Sequence, residues 1–193
     1  MALRYLTGMV FVIAAWSALA QDTYTLDPSH TVPSFEVRHI GISTQRGFFT
    51  RTSGTVTLDR ATHAGTIDAV IDAASIDTGE SLRDRFLRGG DFLDVQHHAV
   101  IGFRASKIAF QGEVPVAAEG TLELRGVARP VTLAIEGFAC TRHPLLGRDV
   151  CGATVRTAIK RSEFGMTAWA HDVGDDIAIA IQVEATRDEA PNR

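Results

Sequence analysis

Residue types able to do chemistry are plentiful in this chain but poorly assembled. Seven histidines raise metal binding first. His97 and His98 are adjacent, and neighbours on a strand point to opposite faces, so they do not converge on one ion. His30 and His39 lack a partner at one-turn helical spacing, and His171-Asp172 reads as a surface loop. No spacing matches a structural zinc site, so no metal is expected. The nucleophile motifs Gly-x-Ser-x-Gly and Ser-x-x-Lys are absent. Asp175-Asp176 suits a turn better than a carboxylate pair, and the glycines form no phosphate cradle. These residues do not predict an enzyme, and no cofactor is expected.

The two cysteines, Cys140 and Cys151, flank a segment containing Pro144 and Gly147 that joins two strand-like runs. In an oxidising compartment a disulfide across the base of a hairpin loop is expected. The spacing is not Cys-x-x-Cys, which argues against a redox pair.

Export is expected from the first twenty residues. Arg4 supplies a positive start, Gly8 to Trp16 an apolar core, and Ala18-Leu19-Ala20 a small-x-small cleavage site before Gln21. The expected mature chain, residues 21–193, is one soluble periplasmic domain with no stable membrane insertion. Losing Arg4 takes Lys and Arg from 19 to 18 against 23 acidic residues, so the formal net charge moves from −4 to −5. A mildly acidic chain without a basic stripe is a poor partner for nucleic acid.

The elements that would position any site are strands, with one exception. From Thr66 to Asp72 apolar and charged residues alternate, the period of a half-buried strand. From Glu80 to Arg88 the period changes, and Leu82, Phe86 and Leu87 would share one helical face before Gly89-Gly90 stops the helix. Elsewhere the pattern is β. Phe35 and Val37 share a face; Phe48 to Asp59 forms one strand with an irregularity at Ser53-Gly54. Val131, Leu133 and Ile135 alternate, as do Ile177, Ile179, Ile181 and Val183. About eight strands at regular spacing, with one short helix inserted, predict an all-β antiparallel sandwich or barrel. The inward candidates are Phe35, Val37, Phe48, Ile67, Ile71, Phe103, Leu122, Leu124, Leu133, Ile135, Ile179 and Ile181. Periodicity alone does not separate a filled core from a lined cavity.

The chain resembles the YceI-like family of exported lipid-binding proteins. The blocks that carry the resemblance run in order: Leu26-Asp27-Pro28-Ser29-His30-Thr31, Val37-Arg38-His39, Arg46-Gly47-Phe48-Phe49, Ala73-Ala74-Ser75-Ile76-Asp77-Thr78-Gly79, Asp91-Phe92-Leu93-Asp94-Val95, Gly120-Thr121-Leu122-Glu123-Leu124-Arg125-Gly126, and Arg161-Ser162-Glu163-Phe164-Gly165-Met166. The resemblance implies a lipocalin-like eight-stranded antiparallel barrel holding a long-chain amphiphile, of polyisoprenoid or quinone type, for transport, storage or sequestration. It turns the inward set into an expected ligand channel and adds Phe86 and Phe92 to it. His30, Arg38, His39 and Arg46 become candidates for head-group contacts. Phe86 stands where the family usually has His, which would make a helix-capped mouth less polar. An enzyme acting on an amphiphile in the same barrel and a solid-cored interaction module are the alternatives, and a homodimer is compatible with any of the three.

Overall fold

The computed structural model describes residues 21–189; the expected leader, residues 1–20, lies outside the described residues. Eleven strands and one helix follow in order: β1 (Asp22–Leu26), β2 (Val32–His39), β3 (Ser43–Phe49), β4 (Thr52–Asp59), β5 (Ala64–Asp72), β6 (Ile76–Asp77), α1 (Ser81–Leu87), β7 (Val100–Gln111), β8 (Val114–Leu124), β9 (Val127–Arg142), β10 (Asp149–Lys160) and β11 (Val173–Arg187). Every pairing is antiparallel. β11 joins β10 to both β1 and β2, which closes the sheet.

Eleven strands make an eight-stranded barrel because three positions in the wall are each filled by two consecutive pieces. β1 and β2 both pair with β11, β3 pairs with β2 while β4 pairs with β1, and β5 and β6 pair with β4 and β3. The breaks have local causes. Asp27-Pro28 interrupts β1/β2, and the Asp27 carboxylate accepts from the Ser29 N–H at 2.8 Å. Thr50-Arg51 interrupts β3/β4, not the expected Ser53-Gly54. There Arg51 donates to Asp72 at 2.6 and 2.9 Å, and Asp72 also accepts from the Ala74 N–H at 2.8 Å, starting a 3-10 turn over Ala73–Ser75. This pair holds the paired kinks in two neighbouring wall positions. It also keeps the Asp72 carboxyl below the usual carboxylate range, chiefly through the Arg51 hydrogen bond.

The barrel has two ends. One carries the hairpins β4/β5, β7/β8 and β9/β10. Here Cys140 and Cys151 face each other in the β9/β10 register and form a disulfide, as expected from the sequence. The other end carries the β2/β3 and β8/β9 turns, α1, and the loop between β10 and β11. The helix is short, and an isolated seven-residue helix is marginal in water. Its position is fixed by side chains. Glu80 caps the Leu82 and Arg83 N–H groups, Asp84 accepts from the Thr78 N–H and hydroxyl at 2.9 and 2.6 Å, and Arg88 donates to the Ala74 and Ile76 carbonyls. The expected apolar helix face is therefore corrected. Asp84 and Leu87, one turn apart, face the barrel, while Leu82 and Phe86 are exposed.

Candidate functional site

Two clusters of buried side chains fill the barrel unequally. At the disulfide end Tyr24, Leu26, Leu58, Phe103, Ile108 and Ala118 pack with Cys151. At the helix end Ile76, Leu93, Ile101, Leu124, Phe164 and Met166 pack together. Between and beside them runs a cavity of about 260 Å³. It passes Leu26, Thr31 and Val183 toward the disulfide end and Leu87, Phe92, Met166 and Val173 at the helix end. Along β11 its wall runs from Val173 to Val183. At ~3.3 Å per residue that is roughly 33 Å of strand, or about 25 Å along the axis of a barrel whose strands tilt by ~40°. The space is long and narrow.

The wall is apolar even where the residues are not. Thr31 donates its hydroxyl to the Glu184 carbonyl, Ser34 to Ala180 and Thr157 to Thr132, at 3.0, 2.7 and 3.0 Å. Thr31 and Thr157 thereby turn their hydroxyl hydrogens onto the backbone at the wall, whereas Ser34, opposite the outward Phe48 and Ala180, makes its bond on the outer side of the sheet. Arg161 extends this to a charge. It is 3% exposed, lines the cavity, and donates only to backbone carbonyls, those of Met166, Ala168, Val173 and Gly174. The guanidinium thereby ties together the loop that closes the helix end, with the Phe92 ring 6.0 Å from its carbon. Thr52 Oγ1, also at the wall, is the buried side-chain oxygen without a partner among the described residues.

Eleven of the fourteen expected channel residues line this cavity: Phe35, Val37, Ile67, Ile71, Phe92 and Phe103, with Leu122, Leu124, Leu133, Ile179 and Ile181. Three do not. Phe48 lies on the outer face and Phe49 takes the inner one. A Cβ on Gly47 would sit 2.6 Å from the Phe35 ring, so residue 47 is the close-packed inner position and the parity of β3 follows from it. Ile135 points inward, opposite Val155, but packs onto the filled disulfide end. Phe86 is outside the mouth, 47% exposed, with its ring 5.2 Å from Phe92 and 5.8 Å from Trp169.

The four head-group candidates do not meet. Arg46 is on the outer wall, paired with Glu36 opposite it at 2.7 Å. Arg38, also outward, donates to the Gly41 carbonyl and to Thr44 and so clamps the β2/β3 turn. His39 ends β2 opposite Val173 and does not line the cavity. His30 belongs to the β1/β2 break, with Asp27 at 2.8 Å and Glu184 at 3.9 Å. Loop residues near a motif gave no face, and in a barrel the face decides. Sequence reasoning missed Arg161 as a site residue, naming it only within a block that carries the family resemblance. Arginine is rarely buried without a carboxylate partner, so composition gives no signal for it. Among the described residues no three His, Cys, Asp or Glu side chains gather in a metal-holding cluster, and no helix is long and apolar enough to cross a membrane.

A family model for the YceI-like domain matches residues 24–185. The chain belongs to the YceI-like family. A UPF0312 protein of Serratia proteamaculans is 31% identical over 185 residues, 94% of this chain and 95% of that one. A UPF0312 protein of Vibrio campbellii is 29% identical, over 83% of this chain and 86% of its own. Among solved structures, Burkholderia cenocepacia BcnA superposes with a TM-score of 0.69 at 24% identity, covering 83% of this chain and 99% of itself. A polyisoprenoid binding domain from Saccharophagus degradans does so with a TM-score of 0.63 at 16% identity, covering 86% and 98%. These likenesses agree with a closed YceI-like barrel.

Proposed function

We propose that this chain is an exported carrier or sequestering protein that holds one long isoprenoid lipid, a polyprenyl chain or the tail of a quinone, within the barrel. The observation that carries this reading is the cavity itself, a narrow space with an apolar wall along the barrel interior. Burial in such a space is favourable by about 25 cal/mol per Å² of apolar surface, so a long hydrocarbon binds there without polar contacts. The volume of about 260 Å³ is just below the range of about 300–1,000 Å³ usual for ligand pockets, which suits a slender chain rather than a fused ring system. The polyisoprenoid-binding character of the Saccharophagus degradans neighbour supports the same ligand class. Holding, rather than turnover, is favoured by the wall chemistry: Thr31, Thr157 and Arg161 are committed to backbone carbonyls, and the Thr52 hydroxyl, unpaired among the described residues, has no titratable side chain other than that same Arg161 among the residues lining the cavity. Residues 1–20 would direct the chain to the periplasm, where the Cys140–Cys151 bridge persists.

The test is native mass spectrometry of the purified protein, followed by lipid extraction of the same sample. A retained species with the mass of a polyprenyl alcohol or quinone is expected, together with saturable uptake of a polyprenol added from detergent. A ligand-free mass combined with no saturable uptake of any isoprenoid overturns the proposal.

A further inference from the structure

We propose that the helix end of the barrel is a docking surface for the phospholipid bilayer, where the ligand enters and leaves; this rests on the lipid-holding function above. Three segments meet at this end. The Ile40 N–H of the β2/β3 turn donates to the Asp172 carbonyl in the β10/β11 loop, Arg83 of α1 donates to Gln45 on β3 at 2.8 Å, and the Phe86 ring meets Trp169 edge-on. Together they present five large apolar side chains to solvent: Ile40 (48% exposed), Ile42 (78%), Leu82 (66%), Phe86 (47%) and Trp169 (53%). Large apolar side chains exposed together at one end of a barrel mark an interaction surface.

What it fits follows from three observations. First, the patch is continuous with the cavity: Trp169 touches Phe86, Phe86 touches Phe92 at 5.2 Å, and Phe92 is part of the cavity wall. An apolar chain leaving the barrel there passes onto apolar side chains instead of into water. Second, two of the five occupy backbone where glycine or asparagine would be cheaper. Ile40 has φ 42° and Trp169 φ 58°, a region that a β-branched or bulky residue rarely adopts. Both positions keep a large apolar side chain exposed despite that strain. Third, the surrounding charge is balanced. In these three segments the exposed arginines Arg38 and Arg85 are matched in number by the exposed acids Glu80 and Asp172, so attraction to an anionic partner is not the driving term. An amphipathic tryptophan among aliphatic side chains, without a cationic field, fits the interface of a zwitterionic bilayer.

The sequence supplies a built-in reporter. Its two tryptophans are Trp16 and Trp169, so a chain spanning residues 21–193, which contains the whole closed barrel, has Trp169 alone. Mixed with phosphatidylcholine vesicles, this protein is expected to float with them, to shift its emission to the blue, and to be quenched by brominated acyl chains. Ile42→Ser with Leu82→Ser, both exposed and outside the cavity, should lower vesicle partitioning by about tenfold per residue with lipid retention unchanged. Protein that retains lipid but shows no flotation and no Trp169 quenching overturns the proposal, and that result needs no variant. Flotation untouched by the double change, or confined to vesicles containing anionic lipid, also overturns it. So does a concentration-dependent blue shift without vesicles accompanied by dimers in sedimentation, which would make a second copy the occupant. Failure to retain any lipid sinks the underlying function and leaves the vesicle readout intact.

Discussion

The disulfide end and the helix end of this barrel share eight strand positions and one alternating pattern, yet the first closes over tightly packed strand residues and the second leaves its buried cluster lining a cavity under a lid. The difference lies in what closes each end. At the disulfide end, strand residues close the barrel over glycines: a Cβ on Gly65 would lie 2.7 Å from Ile108 Cδ1, and one on Gly120 would lie 2.6 Å from the Phe103 ring. At the helix end the strands stop short, and the lid is a helix and a loop held by polar groups, Asp84, Arg88 and Arg161. Alternation decides which face a residue takes. How full the interior becomes depends on side-chain size and on how each end is capped.

The change expected to matter most is Arg161→Met at the helix end. Four carbonyls lose their donor inside the barrel. Leaving buried carbonyls without their donor costs about 1–3 kcal/mol for each one that stays unsatisfied. Urea unfolding should show that loss. Hydrogen exchange should rise chiefly over residues 166–174 while amides around Tyr24 and Ile108 stay protected. Equal loosening at both ends would mean that they do not behave as separate units.

A matched pair tests packing directly. Ile108, 8% exposed, is part of the buried cluster at the disulfide end and does not line the cavity. Ile108→Ala should cost about 2–5 kcal/mol. Ile179 faces the cavity, so it already lacks partner atoms on one side. Ile179→Ala should cost roughly half as much in the lipid-free protein, while weakening lipid retention, which Ile108→Ala should leave alone. Equal costs by denaturant titration would show that the cavity collapses in solution.

Opening the Cys140–Cys151 bridge comes next in size. The cysteines are 11 residues apart in sequence, a loop for which chain entropy gives about 2–3 kcal/mol. Because the bridge is at the end away from the lid, Cys140→Ser with Cys151→Ser should lower the urea midpoint without changing the lipid recovered by extraction. Loss of lipid in this variant would couple the two ends.

The fold was legible because its signals are repetitive and local. Ile177, Ile179, Ile181 and Val183 alternate in sequence and line one wall in space. The cysteine spacing was equally direct. The site was half legible. Eleven lining residues follow from parity, but adjacent aromatics such as Phe48-Phe49 carry no parity of their own; that came from Gly47 lying under the Phe35 ring. The helix misled for a related reason. Its seven residues expose Leu82 and Phe86 and turn Asp84 inward, because short-range hydrogen bonds to Thr78, Ala74 and Ile76 outweigh the burial of two apolar side chains. Arg161 and the grouping of Ile40, Ile42 and Trp169 depend on contacts between segments far apart in sequence, which no local pattern encodes.

The smallest effect concerns His30, whose place in the β1/β2 break sets the packed end apart from the lid in a further way: its ion pair is open to solvent. The hydrogen bond to Asp27 raises the His30 pKa above its ordinary 6.5, helped by the charges of Asp27 and Glu184. Asp27 is in turn held below 3.8, first by that hydrogen bond and then by the Ser29 N–H. A raised histidine pKa contributes stability that is complete below the unfolded-state value and fades as pH climbs through the folded-state one. The depressed Asp27 contributes above its unfolded value and fades as pH falls through its folded one. The pair therefore stabilises most between the two ordinary values. The gap in thermal midpoint between wild type and His30→Ala should be widest at about pH 5–6 and narrow above about pH 7. An NMR titration of the His30 ring should report a midpoint above 6.5 that returns toward it in Asp27→Asn. A gap that instead widens as pH rises would mean that neutral His30 matters through packing, and the packed end would then reach further along the barrel than its buried cluster indicates.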